Sequence, residues 1–396
     1  MTRAVEATAA LATAYAHRFD GAVVAGAPPR IGVVGGDLAR QLVLAAGALP
    51  MRLWHPGVHA SDEAARLLGA TDAASAAVLT GFLGGSFDGL AGVVVCNDCQ
   101  ASLRLFYVLR ELRERGRLTM PVHLFDLQRG GRAPTRAFNR FQFERLVGVL
   151  TAWTGNAITE EGLADAAADE LALGAALRRL TAARRAHGAT LSGTTALHAF
   201  GVAASLPPRD SAALIDAVVE TTVERADIVR TVADSEHEPP LRLLVSGSTH
   251  PDDELSRFIE RGDRARIVGD DHGTGEGAWL GVAAASGTDI VEGLLALHEA
   301  RPPESATATI VARVEWMRRH TSDTGADAVL VLTRRHDEAP LWDFPALRRA
   351  LAADGIPAEL LRSIDDGAGD AMTAIDAALV RLRAGVARAS HERARP

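Results

Sequence analysis

Cys96 and Cys99 are the only cysteines in a chain of 396 residues, and they stand together in VVVCNDCQASLRLFY (93–107). There an apolar run gives way to a helical period. A Cys-x-x-Cys pair admits three chemistries: a dithiol redox couple, part of a zinc site, or part of an iron–sulfur site. A thiolate at a strand end, beside a helix N-terminus, feels backbone N–H groups and the positive end of the dipole, which lower its pKa. Cys99, at the N-cap or N1 of a helix expected over 101–115, is the better placed. Cys96 also reads as a small hydrophobe closing the strand. A metal site needs further ligands, and His250, His272 and His336 each fall in a loop where a strand is expected to end.

The second feature is GDDHGTGEGAW (269–279), with four glycines and two aspartates in eleven residues. Glycine permits positive φ and close backbone approach, so such a loop can cradle a phosphate or pantetheine-type ligand through its N–H groups. Gly273, Gly275 and Asp271, with Ser246 in the preceding loop SGSTHPDD (246–253), are the candidates for cofactor contacts. His250 and His272 are candidate catalytic groups in the same two loops. An ordinary glycine-rich connection is the alternative. VVGGD (33–37) has only two adjacent glycines, and neither loop has the G-x-G-x-x-G order of a dinucleotide site.

The elements that must hold these residues alternate between strand and helix. Apolar runs at 28–35, 50–55, 91–96 and 120–127 are expected strands, separated by helical periods at 37–49, 61–83 and 101–115. Asp37 is the expected N-cap of the helix at 37–49. From about 134 to 232 the pattern is helical, and WTGNAITEEGL reads as a glycine stop followed by a Thr159 cap. Alternation then returns, with strands expected near 241–246, 265–271, 326–333 and 356–364. The pattern predicts an α/β protein of two flavodoxin-like (Rossmann-like) parallel-sheet domains with a helical middle segment. The expected divisions are an N-terminal helical segment (1–28), a first α/β domain (29–135), a helical connecting region (136–235) and a second α/β domain with a C-terminal helix (236–396). Ligands in such sheets bind beyond the carboxyl ends of the strands, where the cysteines, the histidines and the glycine-rich loop all fall.

Composition narrows the chemistry. All 42 positive residues are arginine, which excludes a P-loop lysine, a Schiff-base lysine and an ammonium base. A formal net charge of −8 and scattered arginines argue against a nucleic-acid partner or an anionic membrane surface. The alanine-rich N-terminus is broken by Glu6, His17, Arg18 and Asp20, unlike a signal peptide, and no run of about 18 apolar residues offers a membrane span. The expectation is a cytoplasmic protein, in which paired thiols are reduced, ligating or redox-active.

Several short segments in order resemble the D-component family of 2-hydroxyacyl-CoA dehydratases and benzoyl-CoA reductases. They are LVLAAGALPMRL (42–53), CQASLRLFYVL (99–109), VHLFDLQR (122–129), LTAWTGNAITEEGL (150–163), VSGSTHPDDELSRFIERG (245–262), VGDDHGTGEGAW (268–279) and GADAVLVLTRRHDEAPLWDFPALRRALAADGIP (325–357). The resemblance implies a [4Fe-4S] cluster between two α/β domains, a homologous partner subunit forming a dimer, and an ATP-dependent activator protein. The activator would deliver a low-potential electron for radical chemistry on an acyl-CoA thioester.

The family's three cluster cysteines are only partly matched. Cys99 matches the second, AAVLTGFLGG (76–85) lies where the first is expected, and His336 stands at the third, leaving Cys96 as an extra thiol. An imidazole ligand raises a cluster's potential. Gln41 replaces a glutamate that the resemblance implies in catalysis, and an amide is no general base. Three readings follow: a dehydratase-like or reductase-like subunit with a cluster on Cys96, Cys99 and His336; a cluster-less, non-catalytic paralogue that stabilises a homologous subunit; or a zinc or dithiol redox protein using the Cys-x-x-Cys pair.

Overall fold

A computed structural model describes residues 2–19, 27–54, 59–188, 191–230, 239–250, 252–279, 289–364 and 369–393. The Val-, Ile- and Leu-rich runs form the expected strands. In the first half these are β1 (Arg30–Val34), β2 (Leu49–Arg52), β3 (Gly92–Cys96) and β4 (Val122–Phe125). In the second half they are β5 (Leu241–Gly247), β6 (Ala265–Asp270), β7 (Ala328–Leu332) and β8 (Ala358–Leu361). Every pairing is parallel, and the two sheets share one plan: β2-β1-β3-β4 and β6-β5-β7-β8. That is the flavodoxin-like order, with its reversal of strand order between β1 and β3 and again between β5 and β7. Every residue of β3 and β7 is buried, as strands covered on both faces must be.

Helix α1 (Thr2–Ala16) precedes the first sheet, whose strands are joined through α2 (Arg40–Ala45), α3 (Asp62–Leu68), α4 (Ala73–Leu83) and α5 (Gln100–Glu114). The single helical period read at 61–83 is two helices, because Gly69, at φ +66°, ends the first and Asp72 caps the second. Helices α6 (Ala133–Thr154), α7 (Glu160–Arg185), α8 (Gly193–Ala203) and α9 (Pro208–Arg230) make the middle of the chain. Thr159 caps α7, its side chain accepting from Gly162 N at 3.1 Å. The second half continues with α10 (Glu254–Glu260), α11 (Ile290–Ala300), α12 (Ile310–Thr324), α13 (Ala339–Ala353) and α14 (Gly369–Arg393).

Packing crosses the sequence order. Leu11 and Tyr15 of α1 join Leu173, Leu177, Phe200 and Ile215 in a core of the helical middle. Phe143, Leu146 and Leu150 of α6 cover one face of the first sheet. So do Val291, Leu294 and Leu295 of α11, although α11 lies between β6 and β7 in the chain. This crossing carries the residues after α11 to the carboxyl ends of the first sheet. The division expected at 235/236 lies outside the described residues. No helix among the described residues is long and apolar enough to cross a membrane.

Candidate functional site

At the reversal point of the first sheet, β1 ends in Val34 and turns through Gly35 at φ +90°. A side chain at Gly35 would collide with Asp98 and Cys96, so only glycine lets these segments meet. The Asp98 carboxylate accepts from Gly36 N at 2.7 Å and from Ser102 Oγ at 2.9 Å. Burial, then the charge of Asp37, raises its pKa. Asp37 does not cap α2, which starts only at Arg40. Instead it accepts from Arg301 at 2.6 Å and from Arg129 at 3.1 Å. Burial works to raise the Asp37 carboxyl, but the two guanidiniums prevail and hold it below the usual range.

Beside this ion cluster lies a cavity of about 110 Å³. Its apolar wall includes Val33, Leu38, Phe143, Leu294, Leu297 and Trp279; its polar lining includes Asp37, Arg40, Gln41, Arg52, His298 and Arg301. Gln41 is buried and donates from Nε2 to Leu163 O at 3.1 Å. Arg40 pairs with Glu170 of α7 at 3.2 Å and lies 5.0 Å from the Trp279 ring centroid. Arg52 donates to Gly273 O, tying the end of β2 to the glycine-rich loop of the second half. The cavity therefore has walls from the first sheet, the helical middle and the second half.

The two cysteines do not share that setting. Cys96 is fully buried beside Ile31, Val94 and Phe125, and burial, followed by Asp98 and Asp37, holds its thiol far above the usual range. Cys99 is the N-cap of α5, as its position implied. Its Sγ accepts from Ser102 N at 3.4 Å and lies 3.2 Å from Ser102 Oγ. It keeps a solvent-exposed side, yet the protein packed around the sulfur, then Asp98, pushes its thiol up to about 12. The expected lowering is thus reversed, because desolvation and a neighbouring carboxylate outweigh one helix N-terminus.

In the second half, the equivalent reversal point is closed by the chain's own polar groups. Ser246 donates to Asp271 at 2.9 Å, and Arg313 binds both, reaching Ser246 Oγ at 3.1 Å. Ser248 donates to Asp337 at 2.5 Å and accepts from Arg334 N at 2.9 Å. His250 is buried, its ring 5.2 Å from that of His272, and neither of its nitrogens has a hydrogen-bond partner. His272 Nδ1 lies 3.2 Å from Thr274 Oγ1. His336 is exposed, at φ +67° in the turn before α13.

The glycines of the 269–279 loop serve close approach. None of Gly273, Gly275 and Gly277 has positive φ. A side chain at Gly275 would strike Asp270 and His272, and one at Gly277 would strike the backbone of Asp271. Asp270 Oδ1 accepts from Glu276 N at 2.6 Å, so a carboxylate of the chain sits where an anionic ligand was expected. Asp270 Oδ2 in turn takes both terminal nitrogens of the fully buried Arg184 at 3.0 Å.

Among the described residues, no three His, Cys, Asp or Glu side chains are grouped so as to hold a metal ion. Cys96, Cys99 and His336, expected together as cluster ligands, are not brought together: one thiol lies in the core, one caps a helix and the imidazole faces solvent. Of the sequence-derived candidates, only Gln41 lines the cavity. Arg52, Asp98, Arg129, His298 and Arg301 escaped sequence reading, and Asp37 reads there as a helix cap.

Comparison with known proteins gives three findings. No curated protein matches the chain. Among solved structures, the periplasmic zinc-binding protein TroA from Treponema pallidum aligns at 12% identity and a TM-score of 0.21, covering 91% of this chain and 99% of that one. That score carries no argument. The sequence model described as 2-hydroxyglutaryl-CoA dehydratase, D-component, matches residues 38–363, a span running from the cavity loop past the end of β8. The chain belongs to the 2-hydroxyglutaryl-CoA dehydratase D-component family.

Proposed function

We propose that this chain is a cluster-free subunit of a 2-hydroxyacyl-CoA dehydratase-type complex. It receives the acyl end of a thioester in the cavity at the end of β1 and pairs with a homologous subunit that carries the iron–sulfur chemistry. An ATP-dependent activator would act on that partner. The observation that carries this reading is the placement of Cys96 in the apolar core. A [4Fe-4S] centre draws its ligands from cysteine thiolates, and Cys96 sits among apolar side chains away from His336. The family's cluster does not fit the donor set, so no step is routed through one.

What remains suits ligand binding. The apolar wall takes a short acyl chain, and Arg40 and Arg52 offer guanidinium donors to a carbonyl oxygen. The cavity is too small for a whole CoA, whose pantetheine and nucleotide would have to extend out of it. Gln41 brings an amide where the family's motif carries a carboxylate, which binds without abstracting a proton.

Anaerobic purification with iron and acid-labile sulfide analysis tests the reading. The chain alone should contain background iron and sulfide, and added iron and sulfide should leave its visible spectrum featureless. About four iron per chain, lost in Cys99→Ala, would refute it.

A further inference from the structure

His298, near the end of α11, is buried and lines the cavity. Its Nε2 lies 3.2 Å from Gln128 O. A carbonyl oxygen only accepts, so Nε2 carries the proton, and the other nitrogen of a neutral ring is then a bare acceptor. That nitrogen, Nδ1, has no hydrogen-bond partner. Asp37 Oδ1 lies 3.9 Å away, itself an acceptor and already held by Arg129 and Arg301. Burial, followed by the guanidiniums, keeps the His298 pKa below its ordinary value despite Asp37, so the ring is neutral at pH 7. A buried acceptor without a donor carries its desolvation penalty uncompensated. Asp37, as a carboxylate, offers it no proton.

Arg52 supplies a complementary group: it lines the same cavity, and its Nε–H is buried without a partner. The unmet acceptor of His298 and the unmet donor of Arg52, on residues that line one cavity, describe a small ligand bearing both a hydroxyl and a carbonyl oxygen. We infer that His298 is a specificity residue whose Nδ1 accepts the hydroxyl of a short hydroxyacyl group, while Arg52 Nε–H meets a carbonyl oxygen of the same ligand. This rests on the acyl-binding function proposed above and assigns the group that distinguishes a hydroxyacyl ligand from its deoxy counterpart.

The two ring nitrogens can be separated by mutation. His298→Gln places an amide near the Nε2 position, keeping the bond to Gln128 O but removing the Nδ1 acceptor. His298→Asn does the reverse. The test is calorimetric titration of the full chain with both enantiomers of 2-hydroxybutyryl-CoA and with butyryl-CoA. Far-UV circular dichroism and melting temperature verify folding of each variant. The wild type should bind one hydroxy enantiomer about tenfold more tightly than butyryl-CoA, the value of one net hydrogen bond. His298→Gln should melt like the wild type and show a hydroxy-to-deoxy ratio near one. His298→Asn should keep the preference at a lower melting temperature. An equal affinity of the wild type for hydroxy and deoxy thioesters overturns the inference and leaves acyl binding standing, as does an undiminished preference in His298→Gln. If the wild type binds none of the three thioesters, acyl binding and this inference fall together.

Discussion

The two halves share one strand order but use its reversal point in opposite ways. Beyond β1 and β3 the chain leaves a cavity, an unpartnered imidazole nitrogen and a glycine, Gly36, with open space around it. Beyond β5 and β7 the equivalent crevice is filled: Asp271, Arg313, Ser246, Ser248 and Asp337 bind one another, and the glycine-rich loop folds onto Asp270. A single architecture thus yields one end with an open cavity and one end whose crevice is filled, with His250 the group left unpartnered there. Both ends pair charges internally; the difference lies in whether the loops fill the crevice beyond the strand ends. In the closed half polar groups serve stability, and in the open half several are left for a ligand.

The largest effect should come from the closed half. Arg184→Met leaves Asp270 buried without its two guanidinium bonds, and should cost about 3–5 kcal/mol in denaturant unfolding. A loss below about 1 kcal/mol would mean that the closed half does not depend on its internal counterions.

Acid should act next. His123 and His320 are buried with pKa values lowered to about 4, chiefly by desolvation, and His250 is lowered further by burial, His272 and Arg334. A histidine whose folded pKa lies below its unfolded value takes up its proton on unfolding. Stability is therefore full at pH above about 6.5 and is lost as pH falls from there towards about 4. Each of the first two contributes on the order of 3 kcal/mol over that window. Urea midpoints should fall steadily from pH 7 to pH 5, and His250→Leu should flatten the slope. An unchanged slope in that variant would remove His250 from the set.

Two glycines sharpen the contrast. Gly275→Ala forces a methyl against Asp270 and His272 and should cost about 1–3 kcal/mol, whereas Gly36→Ala enters open space and should cost under about 0.5 kcal/mol. Equal melting temperatures for the two would erase the distinction between the ends. The smallest change is expected for Cys99→Ser. A hydroxyl caps a helix at least as well as a thiol, so stability should shift by no more than about 0.5 kcal/mol.

The sheets were legible in the sequence because buried parallel strands are uninterrupted apolar runs with a helical period between them. β3 and the cap at Thr159 fall where the pattern puts them, and Cys99 takes the N-cap role its position implied. The site was less legible, for a physical reason. Asp37 reads locally as a helix cap; its partner Arg301 lies 264 positions away and arrives only because α11 packs on the first sheet. Local spacing cannot announce that crossing. The Cys-x-x-Cys pair misled in the opposite direction: its spacing is real, but one sulfur belongs to the core and desolvation outweighs the helix terminus at the other. The glycine-rich loop was read as a cradle for an anion, and the chain itself supplies that anion through Asp270.

Hydrogen exchange of the full chain with and without butyryl-CoA tests most directly whether the two ends differ in function. The account predicts ligand-dependent protection in residues 33–41 and 294–301, with residues 246–250 and 270–277 unchanged. Protection confined to the second set, or none at saturating thioester, would contradict it.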